Sequence, residues 1–318
     1  MEYRKLGARG PEVSVIGFGA WAIGGMNWGK TDDTVSKKAL HTAFDAGVNF
    51  VDTADVYGFG HSEKLISEVL KERGPEHGII VATKAGNDFY NADKNDDAGY
   101  GPIRQTYTKA YLISAAEKSL KRLNLETLTI LQLHSPDLEK LKQDEPWLAL
   151  EQLKRDGKIE HAGLSIQSFK ETDQAFLLDE HHDLLDLIQV RYNLLERDAE
   201  SVLFPKAEKY GIGVIARIPL LFGFLTGKFS RQSQFSDDDH RSMNLSREKI
   251  ESYFKMMSPF YPLYDDFPNY SKAQIALQFC LHHPAVSTVI PGAKSPEQVL
   301  DNCGAADLPP ISFGDYLR

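Results

Sequence analysis

Short runs of consecutive apolar residues alternate along this chain with longer stretches in which apolar positions recur every three or four residues. Val48 to Val51, the GIIVAT run at 78–83 and Leu128 to Leu133 lack regular polar alternation, so they predict strands buried on both faces. The stretches between them predict amphipathic helices. One runs from about Asp33 to Ala46 and stops at Gly47; another, from about Tyr107 to Leu123, sets Leu112, Ala116, Leu120 and Leu123 on one face. Leu65, Ile66, Val69 and Leu70 give the stripe of a third. Ahead of them, Tyr3 to Leu6 and Val13 to Ile16 flank a Gly-Pro turn and predict a small hairpin. Strand and helix alternating in this way predict a parallel sheet with crossover helices.

The strands are expected to end near Ala20, Asp52, Lys84, His134, Ser165, Gln189, Ala216 and Ile290. Eight such units predict a (β/α)8 TIM barrel, an α/β fold whose sites gather at the C-terminal ends of the strands. Most intervals fit one strand–helix unit. Those after the third and seventh strands are too long, which predicts insertions over Ala85 to Thr106 and roughly Arg217 to Asn269, both at the same mouth. A doubly wound open sheet is the rival, but Gly17, Gly19, Gly24 and Gly25 lack the spacing of a dinucleotide-binding glycine fingerprint. No linker or composition break divides residues 1–318, so one domain is expected.

Composition narrows the partners. The 36 basic and 45 acidic side chains leave a net charge of −9, which disfavours nucleic acid and anionic membranes. The opening MEYRKLGARG lacks the apolar core of a signal peptide, and no apolar run approaches the ~20 residues of a membrane span. Cys280 and Cys303 belong to no CxxC pair or metal cluster, so a reduced, cytoplasmic setting is expected.

Chemistry collects in GVNFVDTADVYGFGHSE, Gly47 to Glu63. Asp52 closes a buried strand, and Tyr57 follows in the loop before Gly58 and Gly60, which are expected to loosen the backbone. A phenol with an ordinary pKa near ~10 is a poor acid at neutral pH unless a nearby cation stabilises its phenolate. Lys84, at the end of the next strand, is a candidate cation. A lysine at a strand end is usually just exposed, but the preceding IIVAT predicts burial, and a buried ammonium needs a partner such as Asp52. His134 ends the strand of LQLHSPD; taken alone it reads equally as a satisfied core histidine. Asp137 reads as a loop or capping carboxylate.

The Asp-Thr-Ala, Tyr-Gly and Ser-Glu arrangement after Gly47, in this strand-end context, resembles the signature of the aldo-keto reductases. The resemblance continues through the Gly-Lys strap near residue 228 and the Pro-Gly segment near residue 292, and so covers nearly the whole chain. It implies a barrel whose floor is closed by the hairpin, and a catalytic tetrad at Asp52, Tyr57, Lys84 and His134. In that scheme Lys84 stabilises the Tyr57 phenolate, Asp52 holds Lys84, and the three titrate as a coupled set. A neutral His134 orients the substrate carbonyl. Trp21, Trp28, Tyr57, Phe89 and His134 line the substrate end, which fits an apolar or mixed small-molecule carbonyl compound.

The cofactor implied is NADPH, or NADP+ when oxidised, with contacts from Ala20, Trp21 and Asp52 at the first two strand ends. Ser165 and Gln189 match the positions that hold the nicotinamide carboxamide. Two positions depart from the pattern. The usual Asn beside Ser165 is Ile166, which removes one amide contact unless Gln167 replaces it, and the Tyr that stacks on the nicotinamide in many members is Arg217. A planar guanidinium can stack or reach a phosphate. PLLFGFLTGK matches the strap over the pyrophosphate, with Pro219, Leu220 and Leu225 along it and Lys228 as the charge partner. In PGAKSPEQVLDN, Ser295 as N-cap, Pro296 at the first helical position and Gln298 at the third spell a capping box. A helix N-terminus with Lys294 just ahead of it is a ready anion site, although an ordinary capped helix looks the same. By resemblance, Gly292 is among the cofactor contacts, Lys294 approaches the 2′-phosphate, and Gln298, Asp301 and Asn302 the adenosine end. Lys294 favours NADPH over NADH.

The leading expectation is an NADPH-dependent oxidoreductase that reduces an aldehyde or ketone to an alcohol, with hydride from nicotinamide C4 and a proton from Tyr57. The alternative is a cofactor-binding regulatory subunit with little turnover, like the potassium-channel β subunits that resemble this family. A partner-binding N-terminal extension, which would favour that alternative, is not expected. A metal-dependent barrel hydrolase is a third class, but the ten histidines include no HxH or comparable ligand set.

Overall fold

The computed structural model describes residues 1–25, 31–90, 103–236, 239–314 and 316–317. Strands β1 (Tyr3–Lys5) and β2 (Glu12–Ser14) form the expected hairpin, with Tyr3 opposite Ser14. They are followed by β3 (Phe18–Gly19), β4 (Phe50–Asp52), β5 (Ile80–Ala85) and a short antiparallel pair, β6 (Asn87–Asp88) with β7 (Arg104–Gln105). Then come β8 (Leu128–His134), β9 (Ile159–Ser165), β10 (Leu187–Arg191), β11 (Gly213–Arg217) and β12 (Val286–Val289). Setting aside the hairpin and the β6–β7 pair, the other eight lie in chain order in one parallel sheet. Its edges meet: Ile16 and Gly19 bridge in parallel to Val289 and Gly292, and the Gly17 N–H donates to the Val289 carbonyl at 2.8 Å. The sheet therefore closes into a (β/α)8 barrel, and each strand stops within two residues of its expected end.

The two-residue period of a strand sends alternate side chains into the barrel and out against the helices. Inside, Leu6 and Val13 from the hairpin region pack with Phe50, Ala82, Ile130, Leu187, Ile215 and Ile290 in a cluster of their own, the apolar floor. One inward position further along the same strands stand Asp52, Lys84, Gln132, Gln189 and Arg217. The outward set, including Val51, Val81, Leu131, Leu133, Ile188 and Val190, joins the main core against the helices. Polar chemistry thus sits on an apolar plug one layer deep.

The helices start where short polar side chains cap them. Asp32 accepts from the Val35 N–H ahead of Asp33–Asp45, and Thr108 accepts from the Tyr111 N–H ahead of Lys109–Leu123, which buries Leu112, Ala116, Leu120 and Leu123 as predicted. The capping box expected at Ser295 forms only in half. Ser295 caps helix Pro296–Gly304, but the Gln298 side chain accepts from the Lys294 N–H, one residue before the cap, at 2.8 Å. A complete box opens helix Lys272–His282, between Ser271 and Gln274. Both insertions leave the C-terminal mouth of the barrel; the second supplies the turns of Leu221–Thr226 and helices Arg241–Asn244, Arg247–Met257 and Pro262–Asp266. Among the described residues no helix is long and apolar enough to cross a membrane.

Candidate active site

Parallel register sets Asp52 on β4 opposite Ala82 on β5, so the side chain of Lys84, one inward position further, reaches the Asp52 carboxylate. The Lys84 Nζ donates to Asp52 Oδ1 at 2.6 Å and to the Thr53 carbonyl at 2.7 Å, and lies 3.4 Å from the Tyr57 hydroxyl. Both charges are buried. A buried pair is tolerated only when its remaining lone pairs find donors. Here Asp52 Oδ2 accepts from Gln189 Nε2 at 2.7 Å and from Gln132 Nε2 at 3.1 Å. Burial pulls the Lys84 pKa down, and the charge and hydrogen bond of Asp52 oppose that pull.

The loop carrying Tyr57 is tight, not loosened as the two glycines implied. Gly58 has φ 58°, and a Cβ there would lie 2.1 Å from the Gly24 carbonyl oxygen, so no other residue fits without moving the backbone. Ser62 and Glu63, the last residues of the signature, fasten the loop's far end. The Ser62 hydroxyl pairs with Thr53 Oγ1 at 2.9 Å and donates to the Ala20 carbonyl, while Glu63 accepts from Thr83 Oγ1 at 2.7 Å and from Arg122 Nε at 2.5 Å. The Ser62 N–H also donates to the Tyr57 carbonyl at 3.2 Å, so this anchored end holds the residue that carries the phenol.

Burial, and then the Asp52 charge, push the Tyr57 phenol pKa up, with Arg217 opposing; the phenol is held protonated. Burial, and then the charges of Lys84 and Arg217, hold the His134 imidazole far below its usual pKa, so the ring is neutral, and its Nδ1 makes no hydrogen bond. The Tyr107 hydroxyl donates to the His134 carbonyl at 2.6 Å and fixes that strand end. The Tyr57 and His134 rings meet edge-on, their centroids 5.8 Å apart. A protonated phenol beside a buried ammonium and a neutral imidazole is an arrangement for giving a proton to one oxygen atom.

These groups open onto a cleft of about 900 Å³. Trp21, Ser165, Gln189 and Arg217 line it near Tyr57. Pro219, Leu220 and Lys228 line it along the strap, and Gly292, Lys294, Gln298, Asp301 and Asn302 at the far end. Other expected contacts fall elsewhere. Ala20 is buried, its N–H donating to the Asp52 carbonyl, and Leu225 is buried in the strap's own core. Phe89 stacks on Phe59 and packs at a tilt against Tyr90, and Trp28 lies outside the described residues. Asp137 is a cap, accepting from the Lys140 N–H at 2.9 Å.

Sequence reasoning missed several neighbours. Gln132 is one, an inward residue of a strand otherwise read as apolar. His240 lines the cleft against Trp21, ring centroids 4.5 Å apart, and burial lowers its pKa to about 4. Arg241 also lines it, bonded to Asp239 at 2.8 Å; its charge, after burial, is the next influence lowering the pKa of both Lys228 and Lys294. The three cations share one stretch of the cleft, which suits a phosphate-bearing cofactor. Both His240 and Arg241 sit in the second insertion, where no periodic pattern marks them. Asp55 was missed as well. It is fully buried with neither carboxyl oxygen hydrogen-bonded by a side chain, and burial, then the Glu63 charge, push its pKa well above the carboxylate range. Among the described residues no cluster of His, Cys, Asp and Glu is built to hold a metal.

Known proteins share this architecture. The Aldo/keto reductase family pattern matches residues 15–316. Aldo-keto reductase YhdN of Bacillus subtilis (strain 168) is 31% identical over 301 residues, covering 94% of this chain and 87% of that protein. The structure of the glycerol dehydrogenase AKR11B4 from Gluconobacter oxydans superposes with a TM-score of 0.78 at 33% identity, covering 95% of this chain and 89% of that one. A probable voltage-gated potassium channel subunit beta of Oryza sativa subsp. japonica is 28% identical, covering 98% of this chain and 93% of its own length. A match that begins just ahead of the first barrel strand and runs past the last helix places this chain in the aldo/keto reductase family of oxidoreductases.

Proposed function

We propose that this protein is an NADPH-dependent reductase converting an aldehyde or ketone to the alcohol. One arrangement supports it above all: the Lys84 ammonium, 2.6 Å from Asp52 and 3.4 Å from the Tyr57 hydroxyl, beside a neutral His134 that faces the cleft. The bound cofactor supplies a hydride from nicotinamide C4 to the carbonyl carbon. Tyr57 gives its proton to the carbonyl oxygen, and the Lys84 charge stabilises the phenolate left behind. Asp52, held by Gln132 and Gln189, keeps that ammonium in place. His134 donates an N–H to the same oxygen and orients the substrate.

The residues lining the cleft fit the cofactor. Ser165 and the amide oxygen of Gln189 would hold the nicotinamide carboxamide; Trp21 and Arg217 line the same cleft. Lys228, Arg241 and Lys294 would hold the phosphates, and Gln298, Asp301 and Asn302 the adenosine end. Tyr57→Phe is expected to bind NADPH as the wild type does and to turn over aldehydes about 10² to 10⁴ times more slowly, read from the NADPH absorbance band. Unchanged turnover in that variant would remove Tyr57 as the acid. The similarity to a potassium channel β subunit supports a second reading, a cofactor-binding subunit with little catalysis. Tight NADPH binding with no carbonyl reduced by either protein would move that reading ahead.

A further inference from the structure

The two departures from the family pattern, Ile166 and Arg217, meet in space. Ile166 is a fully buried apolar side chain at the end of β9. The Arg217 guanidinium crosses from the end of β11 to the same place, its Nη2 donating to the Ile166 carbonyl at 3.0 Å and to the Ser168 hydroxyl at 2.8 Å. Its Nε is buried without a hydrogen bond. A cation therefore stands at the position where the pattern has an uncharged aromatic ring, and it is bonded to the strand end that lacks the pattern's amide.

This charge is held in place and only partly offset: the carboxylates of Glu171 and Asp52 stabilise it without pairing to it. Among the described residues Arg217 makes no ion pair; its two bonds go to a carbonyl and a hydroxyl. The neighbouring cation, Arg191, is spent on Glu196, with two hydrogen bonds of 2.5 Å. Burial, and then Arg191, lower the Arg217 pKa to about 10, which leaves it charged at neutral pH. Arg217 stands one inward position beyond Ile215 of the apolar floor, in the same layer as Asp52 and Lys84, and lines the cleft with Tyr57 and His134, which puts it at the reacting end.

We propose that Arg217 makes this protein discriminate between the redox states of its cofactor, binding NADPH in preference to NADP+. This extends the cofactor role proposed above and stands only with it. The nicotinamide ring is neutral in NADPH and cationic in NADP+, while the phosphates and adenosine are common to both. A guanidinium held beside the ring acts on the difference alone, and two like charges a few ångströms apart in a partly desolvated cleft separate the two affinities by at least about tenfold. Release of the oxidised cofactor after turnover is thereby assisted, and alcohol oxidation is disadvantaged at the binding step.

Dissociation constants for NADPH, NADP+ and 2′,5′-ADP, which lacks the nicotinamide, are measured by tryptophan fluorescence quenching in the wild type, Arg217→Gln and Arg217→Lys. The wild type is expected to favour NADPH over NADP+ at least about tenfold, Gln to lose most of that preference through tighter NADP+, and Lys to keep it. Binding of 2′,5′-ADP should not change. Equal wild-type affinities, or a ratio that Gln leaves unaltered, overturn the proposal. So does a loss of 2′,5′-ADP binding in step with both dinucleotides, which would put Arg217 on the phosphates. If Arg217→Gln does not fold, the wild-type ratio and the Lys variant decide. Failure of the wild type to bind NADPH at all defeats the cofactor assignment itself and is read separately.

Discussion

Two lysines of the cleft region show position, not residue type, assigning the role. Lys84 is wholly buried, and the next influence on it after burial is an opposite charge, Asp52. Lys294 is half-buried, and the next influence on it is a like charge, Arg241. Lys84 can lend its field to Tyr57, whereas an arriving anion would offset the like charge that acts on Lys294. Lys294→Ala is expected to weaken NADPH by about tenfold, the scale of one charged hydrogen bond, and NADH much less. Fluorescence titration of both dinucleotides checks it, and equal weakening would place the 2′-phosphate elsewhere. At this scale Asp52, Tyr57, Lys84 and His134 were legible because each interrupts an apolar run or stands just past one. Gln132 was not, because a single amide in LTILQLH carries no pattern until its partner is known.

Among elements, the barrel places stability and chemistry at opposite ends. The mouth carries the strain: Ser135, Phe169, Ile218, Leu221 and Phe222, all in loops that follow strands, have positive φ, and Ile218 is β-branched. The opposite end carries Asp186, just ahead of β10. Its buried carboxylate accepts from Arg9 Nε at 2.8 Å, Lys154 Nζ at 2.7 Å and the Ala162 N–H at 3.1 Å, tying the N-terminal hairpin region to helix Asp144–Arg155 and β9. Burial alone would raise its pKa; hydrogen bonds from His161, Lys154, the Ala162 N–H and Arg9 hold it well below the carboxylate range. A carboxyl more acidic folded than unfolded stabilises the fold above about pH 4 and loses that contribution as pH falls. Asp186→Asn is expected to cost about 3 kcal/mol in urea denaturation at neutral pH, as when one partner of a buried ion pair is removed. The gap to the wild type should narrow below about pH 4. A gap independent of pH would assign the loss to shape and not to charge.

In the whole molecule, one cleft is lined by both the first and the last strand–helix units, from Gly19 and Trp21 to Asp301 and Asn302. The barrel is closed by the same two regions, through the bridge from Gly19 to Gly292. A ligand lying along this cleft joins the chain's two ends and binds only the closed form. Saturating NADPH, at about a hundred times its dissociation constant, should therefore add about 2.7 kcal/mol of stability and raise Tm by several degrees in a thermal-shift assay. Lys294→Ala should reduce that rise at equal NADPH. No shift with NADPH in the wild type would mean that the cofactor, if bound, does not use this cleft.

The barrel, its hairpin, its eight strand ends and the four residues that meet in the candidate site were legible in the chain alone. Strands covered on both faces read as uninterrupted apolar runs, and a charged residue at the end of such a run announces itself locally. What those residues touch followed from the closed fold. Asp52 is held by Gln132 and Gln189, 80 and 137 positions away in the chain. Arg217 reaches across 51 positions to Ile166. Gly58 is required by the carbonyl of Gly24, and Arg241 joins Lys228 and Lys294 from an insertion without periodicity. Hydrophobic period records which way a side chain faces relative to its own backbone; which partner waits there depends on how the eight units close into a ring.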